Sequence, residues 1–403
     1  MTATTPFLPY GKQSIDDDDV AAVAAALRGD YLTTGPTVAQ FEQAFADFTG
    51  ARHAVASNSG TAALHLACMA LGLGPGDHVV VPSVTFLATA NAPRFCGADV
   101  IFADVDPDNG RMTAHTLQQA LDRHPGIRPK AVLPVHLNGH CVDLPAIGAV
   151  ADAHGMVVIE DACHALGGTH NAGNGSRARV GANAIGSLSC FSLHPVKTMT
   201  TGEGGVTTTN DPQLYQAMLL YRNHGMTRDP AAFTMKEQAF DTSGAALPWY
   251  YEMQALGPNY RITDVACALG LSQLAKLDGF ISRRRVLAAR YDQALAGLQP
   301  RLKLVRGPQG DEAALHLYVV LIDFAALGTS RAEAMAFLRD RGIGTQVHYL
   351  PVHRQPYYRR LYGTLKLPGA DAYYERALSI PLYPDMSDAD ADRVIAALTD
   401  LVS

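Results

Sequence analysis

No run of about 18 apolar residues occurs in this chain of 403 residues, so nothing in it reads as a membrane-spanning helix. The opening stretch, MTATTPFLPYGKQSIDDDD, has neither the basic region nor the apolar core of a signal peptide. The six cysteines stand singly, with no C-x-x-C pair, and read as buried thiols of a reducing compartment rather than as disulfides or metal ligands. A cytoplasmic location is expected. Excess positive charge is missing too: the formal net charge is −6, which argues against nucleic acid or an anionic membrane as the main partner. Neither G-x-G-x-x-G ahead of a helix nor G-x-x-x-x-G-K-[ST] is present, which removes the dinucleotide fingerprint and the P-loop. There are no internal repeats and no low-complexity tail.

What is present is ordinary globular composition, 48% hydrophobic and 17% charged, at a length that fits about two or three domains. A Pro- and Gly-punctuated arm to Gly11 leads into amphipathic helices over 16–27, with Ile15, Val20, Val23, Ala24 and Leu27 on one stripe, and over 38–48. Short apolar strands follow over 53–57, 78–82, 100–105, 131–135 and 156–161. Helical patterns such as 61–71, 116–123 and 144–153 separate most of them. Alternation of this kind predicts a mostly parallel sheet covered on both faces. After Asn210 the pattern fades into a helix over 214–221, an irregular polar stretch over 227–247, and two helices over 263–277 and 281–298. Strand and helix patterns return over 315–322, 331–341, 345–349 and 388–401. A large domain over 1–280 and a smaller α+β domain over 281–403 are expected.

The chemistry concentrates in SLSCFSLHPVKTMTTGEGGVTTTN, from Ser187 to Asn210. An apolar strand opens there into a polar turn that holds Lys197, a position where sheet edges form binding crevices. A desolvated lysine can lose its charge and attack an aldehyde; the plain alternative is a solvated surface lysine. Ser192 lies five positions upstream. In SNSGTA, Ser59, Gly60 and Thr61 join a strand to a helix, where free amides and the positive end of the helix dipole make a phosphate seat or, more plainly, a cap. Asp161 ends an apolar strand in VVIEDACHALGG, where it can pair with a protonated ring nitrogen or cap the next turn. His164 can face a flat ligand or cap that same turn, and Phe86 can stack on a ring or belong to the core.

The order Thr61, Asp161, Ser192, Lys197 resembles that of the fold-type I, aspartate-aminotransferase-like enzymes that use pyridoxal phosphate. Within them the chain is similar to the DegT/StrS-type nucleotide-sugar aminotransferases. The likeness runs from FLPYGKQSI through LTTGP, SNSGTAALHLA, GDHVVVPSVTFLATAN, PVHLNG, IEDACHALGG, FSLHPVKTMTTGEGG and GPNYRITDVACALGLSQL to SIPLYPDMSDADADRV. The resemblance implies that Lys197 forms the internal aldimine and that Asp161 faces the pyridine nitrogen. It further implies His164 beside the ring or its hydroxyl, Ser192 and the Ser59–Gly60–Thr61 turn on the phosphate, and Phe86 stacked on the ring. Asn259, in GPNYR, would reach the phosphate of the neighbouring subunit, which implies a homodimer with shared sites. Lys197 would then be the proton carrier of a ping-pong transfer, with pyridoxamine phosphate holding the amino group between half-reactions.

HALGG, TTGEGG, VHYLPVHRQPYY and PYGKQSI look most like the branch that aminates C4 of UDP-2-acetamido-2,6-dideoxy-β-L-arabino-hex-4-ulose, an altrosamine-forming step toward pseudaminic acid, with glutamate as donor. Enzymes for other nucleotide-linked 4-keto-6-deoxy sugars are similar. A related dehydratase branch replaces the lysine with histidine, and non-catalytic relatives lack part of the Lys-Asp-Ser set; this chain has all three. Two departures fall where substrate contacts are expected: Asn138-Gly139-His140-Cys141, and the 227–247 segment. His194, His348, Tyr349 and His353 are candidate substrate-side groups or structural residues.

Overall fold

A computed structural model describes residues 6–173, 175–308 and 310–403; the first five residues of the expected arm lie outside the described residues. Among the described residues the main sheet has seven strands. We number them β1 (His53–Ser57), β2 (His78–Pro82), β3 (Asp99–Ala103), β4 (Ala131–Val132), β5 (Val157–Asp161), β6 (Leu188–Ser192) and β7 (Gly205–Thr209). Their spatial order is β1-β7-β6-β5-β4-β2-β3. β7 runs antiparallel to both of its neighbours, and every other pairing is parallel. This is the mostly parallel α/β sheet expected of fold type I.

The strand sequences explain the burial. Val79 and Val81 of β2 enter one apolar cluster and Val80 enters another on the opposite face. All three are fully buried, each stabilising the fold by roughly 2 kcal/mol of transferred apolar surface. β-branched residues tolerate this two-sided burial because parallel sheets carry helices on both faces.

A second, antiparallel sheet of three strands places Tyr318–Ile322 between Leu302–Leu304 and Ala377–Ile380. Helices Arg331–Asp340 and Asp388–Val402 accompany it in one apolar cluster. The N-terminal arm ties onto this smaller unit: Leu8 donates to the Gly342 carbonyl (2.8 Å) and accepts from the Gly344 amide (2.7 Å).

Several local expectations change. The two helices expected over 263–277 and 281–298 are one helix, Asp264–Leu295, capped by the Thr263 hydroxyl. A Cβ on Gly279 would meet open space, and buried Leu277 and Ile281 on either side anchor the helix through that position. Packing therefore outweighs the propensity loss of about 1 kcal/mol at a glycine. The strand expected over 345–349 is reduced to a single bridge between Gln346 and Ser379.

The first helix, Asp17–Arg28, turns the other way from its apolar stripe: Ile15, Val20 and Leu27 are exposed, while Asp19 is buried. Asp19 accepts from Ser272 Oγ (2.6 Å), Gln273 Nε2 (2.7 Å) and Lys276 Nζ (2.8 Å). Bonds to a charged acceptor stabilise by roughly 1.5–3 kcal/mol each, enough to turn a carboxylate inward. The polar 226–254 segment is folded around Glu252, which accepts from the amides of Thr234 and Met235 and from Tyr250. Among the described residues no helix is long and apolar enough to cross a membrane.

Candidate active site

The C-terminal edge of the main sheet carries the site, because six of the seven described strands end there and β7 begins there. Register sets the spacing: Ser57 and Ser192 both pair with Gly205, while Asp161 pairs with Cys190. The strand ends surround a cavity of about 870 Å³.

Asp161 is buried at the end of β5. One carboxylate oxygen accepts from the Thr89 hydroxyl (2.6 Å) and the other from the Cys163 amide (3.1 Å). It therefore makes a local turn bond and faces the cavity at once. Among the described residues it accepts only from uncharged groups. Thr89, in helix Leu87–Phe95 three residues beyond its N-cap Phe86, is itself held by Thr85 (2.7 Å).

Lys197 sits in the turn between β6 and β7. The turn closes through Leu193 N to Gly204 O (2.9 Å), Thr201 N to Leu193 O (3.1 Å) and Lys197 N to His194 O (2.9 Å). The buried Arg284 guanidinium, from the long helix, reaches the carbonyls of Lys197 (3.4 Å), His316 (3.2 Å) and Leu382 (2.7 Å) and so fixes the turn against the smaller unit. Burial pushes the Lys197 amine below the ordinary lysine value, against the opposing pull of Cys163 and Asp161. The Cys163 thiol also borders the cavity, and burial drives it well above its ordinary value. Cys163 and Cys96 are only partly buried, unlike the other four thiols.

Ser59, Gly60, Thr61 and Ser192 form one wall of the cavity. Ser59 caps helix Gly60–Ala70, accepting from Ala62 N. The approach is close enough to require glycine twice: a Cβ on Gly60 would lie 2.7 Å from Ser192 Cβ, and one on Gly205 would strike the Ser59 carbonyl. The result is a cradle of small groups at a helix N-terminus.

His164 is buried and accepts from the Asn138 amide at Nδ1 (3.2 Å), while Nε2 meets the Tyr349 hydroxyl (3.0 Å). Phe86 is 55% exposed rather than a core residue; its ring borders the cavity and lies 5.9 Å from that of Tyr349. His194, His348 and Tyr349 line the cavity, whereas His353 is bound to Ser83 behind it. Asn259 lies outside the cavity of its own chain: its backbone carbonyl accepts from the side chain of Asn58, a cavity residue.

Sequence reasoning missed His316 and Tyr10. His316 is buried and faces the cavity, and its Nδ1 has no hydrogen-bond partner among the described residues. In ALHLYVV its alternation reads as ordinary strand, so no local signal marks it. Tyr10 arrives with the arm, its ring 5.3 Å from that of His348.

A family model described as the DegT/DnrJ/EryC1/StrS aminotransferase family matches residues 13–399. The chain belongs to this family. It is 40% identical over 399 residues to the spore coat polysaccharide biosynthesis protein SpsC of Bacillus subtilis, covering 98% of this chain and 97% of that one. The fold is similar to that of Helicobacter pylori PseC, an aminotransferase involved in the biosynthesis of pseudoaminic acid, with a TM-score of 0.87, 27% identity and coverage of 98% and 99%. Streptococcus pneumoniae Spr1654, solved in PLP and PMP forms, also matches; its PLP form gives a TM-score of 0.84 at 27% identity and covers 98% of each chain.

The enzyme is thus a sugar aminotransferase, and its cofactor is pyridoxal phosphate. The residues present suit that group. A buried carboxylate whose partners are all uncharged matches a protonated ring nitrogen. The Gly60 cradle, which a single Cβ would fill, matches a phosphate.

Proposed function

We propose that the enzyme moves an amino group from L-glutamate to C4 of a UDP-linked 2-acetamido-4-keto-6-deoxy hexose, giving the altrosamine precursor of pseudaminic acid. One observation carries the reading: an amine made less basic by burial and a carboxylate whose hydrogen-bond donors are all uncharged face the same cavity. The likeness to PseC and the HALGG and VHYLPVHRQPYY motifs support this choice of sugar.

In this reading Asp161 holds the ring nitrogen, Phe86 stacks on the ring, and His164 lies beside it. Ser59, Gly60, Thr61 and Ser192 hold the phosphate. Lys197 carries the cofactor and, once displaced, moves the proton at the donor's Cα. When bound, pyridoxal phosphate supplies the electron sink that lets nitrogen leave one carbon and join another.

The same reading makes the enzyme a homodimer in which Asn259 serves the neighbouring subunit's phosphate. Exposed apolar groups at Trp249, Tyr251, Met253 and Leu256 support an association surface. It also divides the chain near residue 280, within the long helix. Six free thiols fit a cytoplasmic, reducing location.

The test is spectroscopic. Purified enzyme should be yellow, bleach with L-glutamate, and regain its colour with the UDP-linked keto sugar. A spectrum untouched by glutamate or by any other amino donor would defeat the transaminase reading. A second sugar has its own support, because identity is higher to SpsC: another nucleotide-linked 4-keto-6-deoxy sugar, destined for a coat polysaccharide. Ranking UDP-, dTDP- and GDP-linked 4-keto sugars by kcat/KM separates the two.

A further inference from the structure

The segment Asn138-Gly139-His140-Cys141, expected to offer substrate contacts, does not line the cavity; it is packed behind His164, which does. Asn138 adopts a left-handed backbone (φ 65°), and Gly139 lies so close to the Ala314 carbonyl that no side chain fits. The loop is held from below by His136. Its Nδ1 accepts from the Val142 amide (3.3 Å), its Nε2–H donates to the buried Glu160 carboxylate (3.0 Å), and its backbone amide donates to the Asp161 carbonyl (3.0 Å).

So fixed, the Asn138 N–H points at His164 Nδ1. A backbone amide can only donate, so Nδ1 carries no hydrogen and the neutral ring must carry its proton on Nε2. Burial keeps the ring neutral. His164 Nε2–H therefore donates to the Tyr349 oxygen, and the phenol's own hydrogen is left over. Among the described residues no protein acceptor lies within reach of it, and the Tyr349 ring, set against Phe86 and His348, borders the cavity.

We propose that Tyr349 is a hydrogen-bond donor to an electron-rich oxygen of the cavity's occupant, and that His164 is a positioning residue whose tautomer, imposed by the Asn138 amide, sets the direction of that bond. The proposal rests on the aminotransferase reading only for the owner of the oxygen, which is either the cofactor ring or the keto sugar.

Nitrogen NMR of histidine-labelled holoenzyme, assigned by the signal lost in His164→Gln, should give a bare Nδ1 and a protonated Nε2. A protonated Nδ1 would overturn the proposal. Tyr349→Phe separates the two owners. If the oxygen is the sugar's, KM for the UDP-linked keto sugar rises about tenfold with kcat and the cofactor's absorption unchanged. If it is the cofactor's, the pH midpoint of the absorption band moves and KM does not. No change in either sinks the idea.

His164→Gln keeps one acceptor and one donor and should show a smaller change in the Tyr349-dependent reading than His164→Leu, which should copy Tyr349→Phe. Equal behaviour of the Gln and Leu variants again overturns it. Should wild-type enzyme accept no keto sugar, the proposed function fails, yet the NMR and absorption readings still settle this proposal.

Discussion

Lys197 is where charge and burial compete most directly. Burial lowers its basicity, while Cys163 and Asp161 raise it, and burial prevails. The sign follows: with the folded value below the ordinary lysine value of about 10.4, the nucleophilic free amine is populated at lower pH than in an exposed lysine. In that window the unfolded chain binds the extra proton, so this group's contribution makes stability rise with pH. Loading of apoenzyme with pyridoxal phosphate, followed by absorbance, should therefore have a pH midpoint below about 10.4. Lys197→Ala should bind the cofactor without a covalent link and turn over nothing. A midpoint at the ordinary lysine value, or residual turnover in the variant, would remove the amine from its role.

Between single residues and the whole stands the convergence of the β1–helix turn with the end of β6. Gly60 has ordinary backbone angles, so alanine there is not strained by conformation; the obstacle is Ser192, with Cβ at 2.7 Å, Oγ at 3.0 Å and Cα at 3.1 Å from the added carbon. A backbone atom cannot swing aside, so strand or turn must shift, at a typical cost of about 1–3 kcal/mol. Gly60→Ala should weaken cofactor binding about tenfold or more in equilibrium dialysis while far-UV circular dichroism stays native. Unchanged affinity would mean that the cradle is not the phosphate seat.

This element was legible in SNSGTA because its chemistry is local, as was Asp161 at the end of a β-branched run. Asp19 was not: its partners Ser272, Gln273 and Lys276 lie some 250 positions away, and only tertiary structure reveals why an apolar stripe turns outward. The single helix through Gly279 escaped for the same reason, since burial of Leu277 and Ile281 overrides propensity there. His316 escaped because strand alternation looks the same whether a side chain meets core or cavity.

The cavity as a whole is assembled from distant parts: Tyr10 from the arm, Lys197 and Asp161 from the main sheet, His316 and Tyr349 from the smaller unit. Asn259 stands outside it, and large apolar groups remain in solvent nearby in sequence, Trp249 at 71% and Leu256 at 82% exposed. Under the proposed homodimer, a second copy bringing its own Asn259 to this cavity would account for both features, because a two-fold interface gives each site one residue from each chain. The consequence is measurable by mixing two defective proteins. Lys197→Ala and Asn259→Ala each disable both sites of a homodimer, the first fully and the second through a loosened cofactor. After dissociation and re-pairing, a mixed dimer has one site carrying both lesions and one carrying neither. Half of the dimers are then mixed with one working site each, so activity should recover to about a quarter of wild type, above the mean of the separate variants. If instead each chain completes its own site, every site in the mixture keeps one lesion and re-pairing restores nothing.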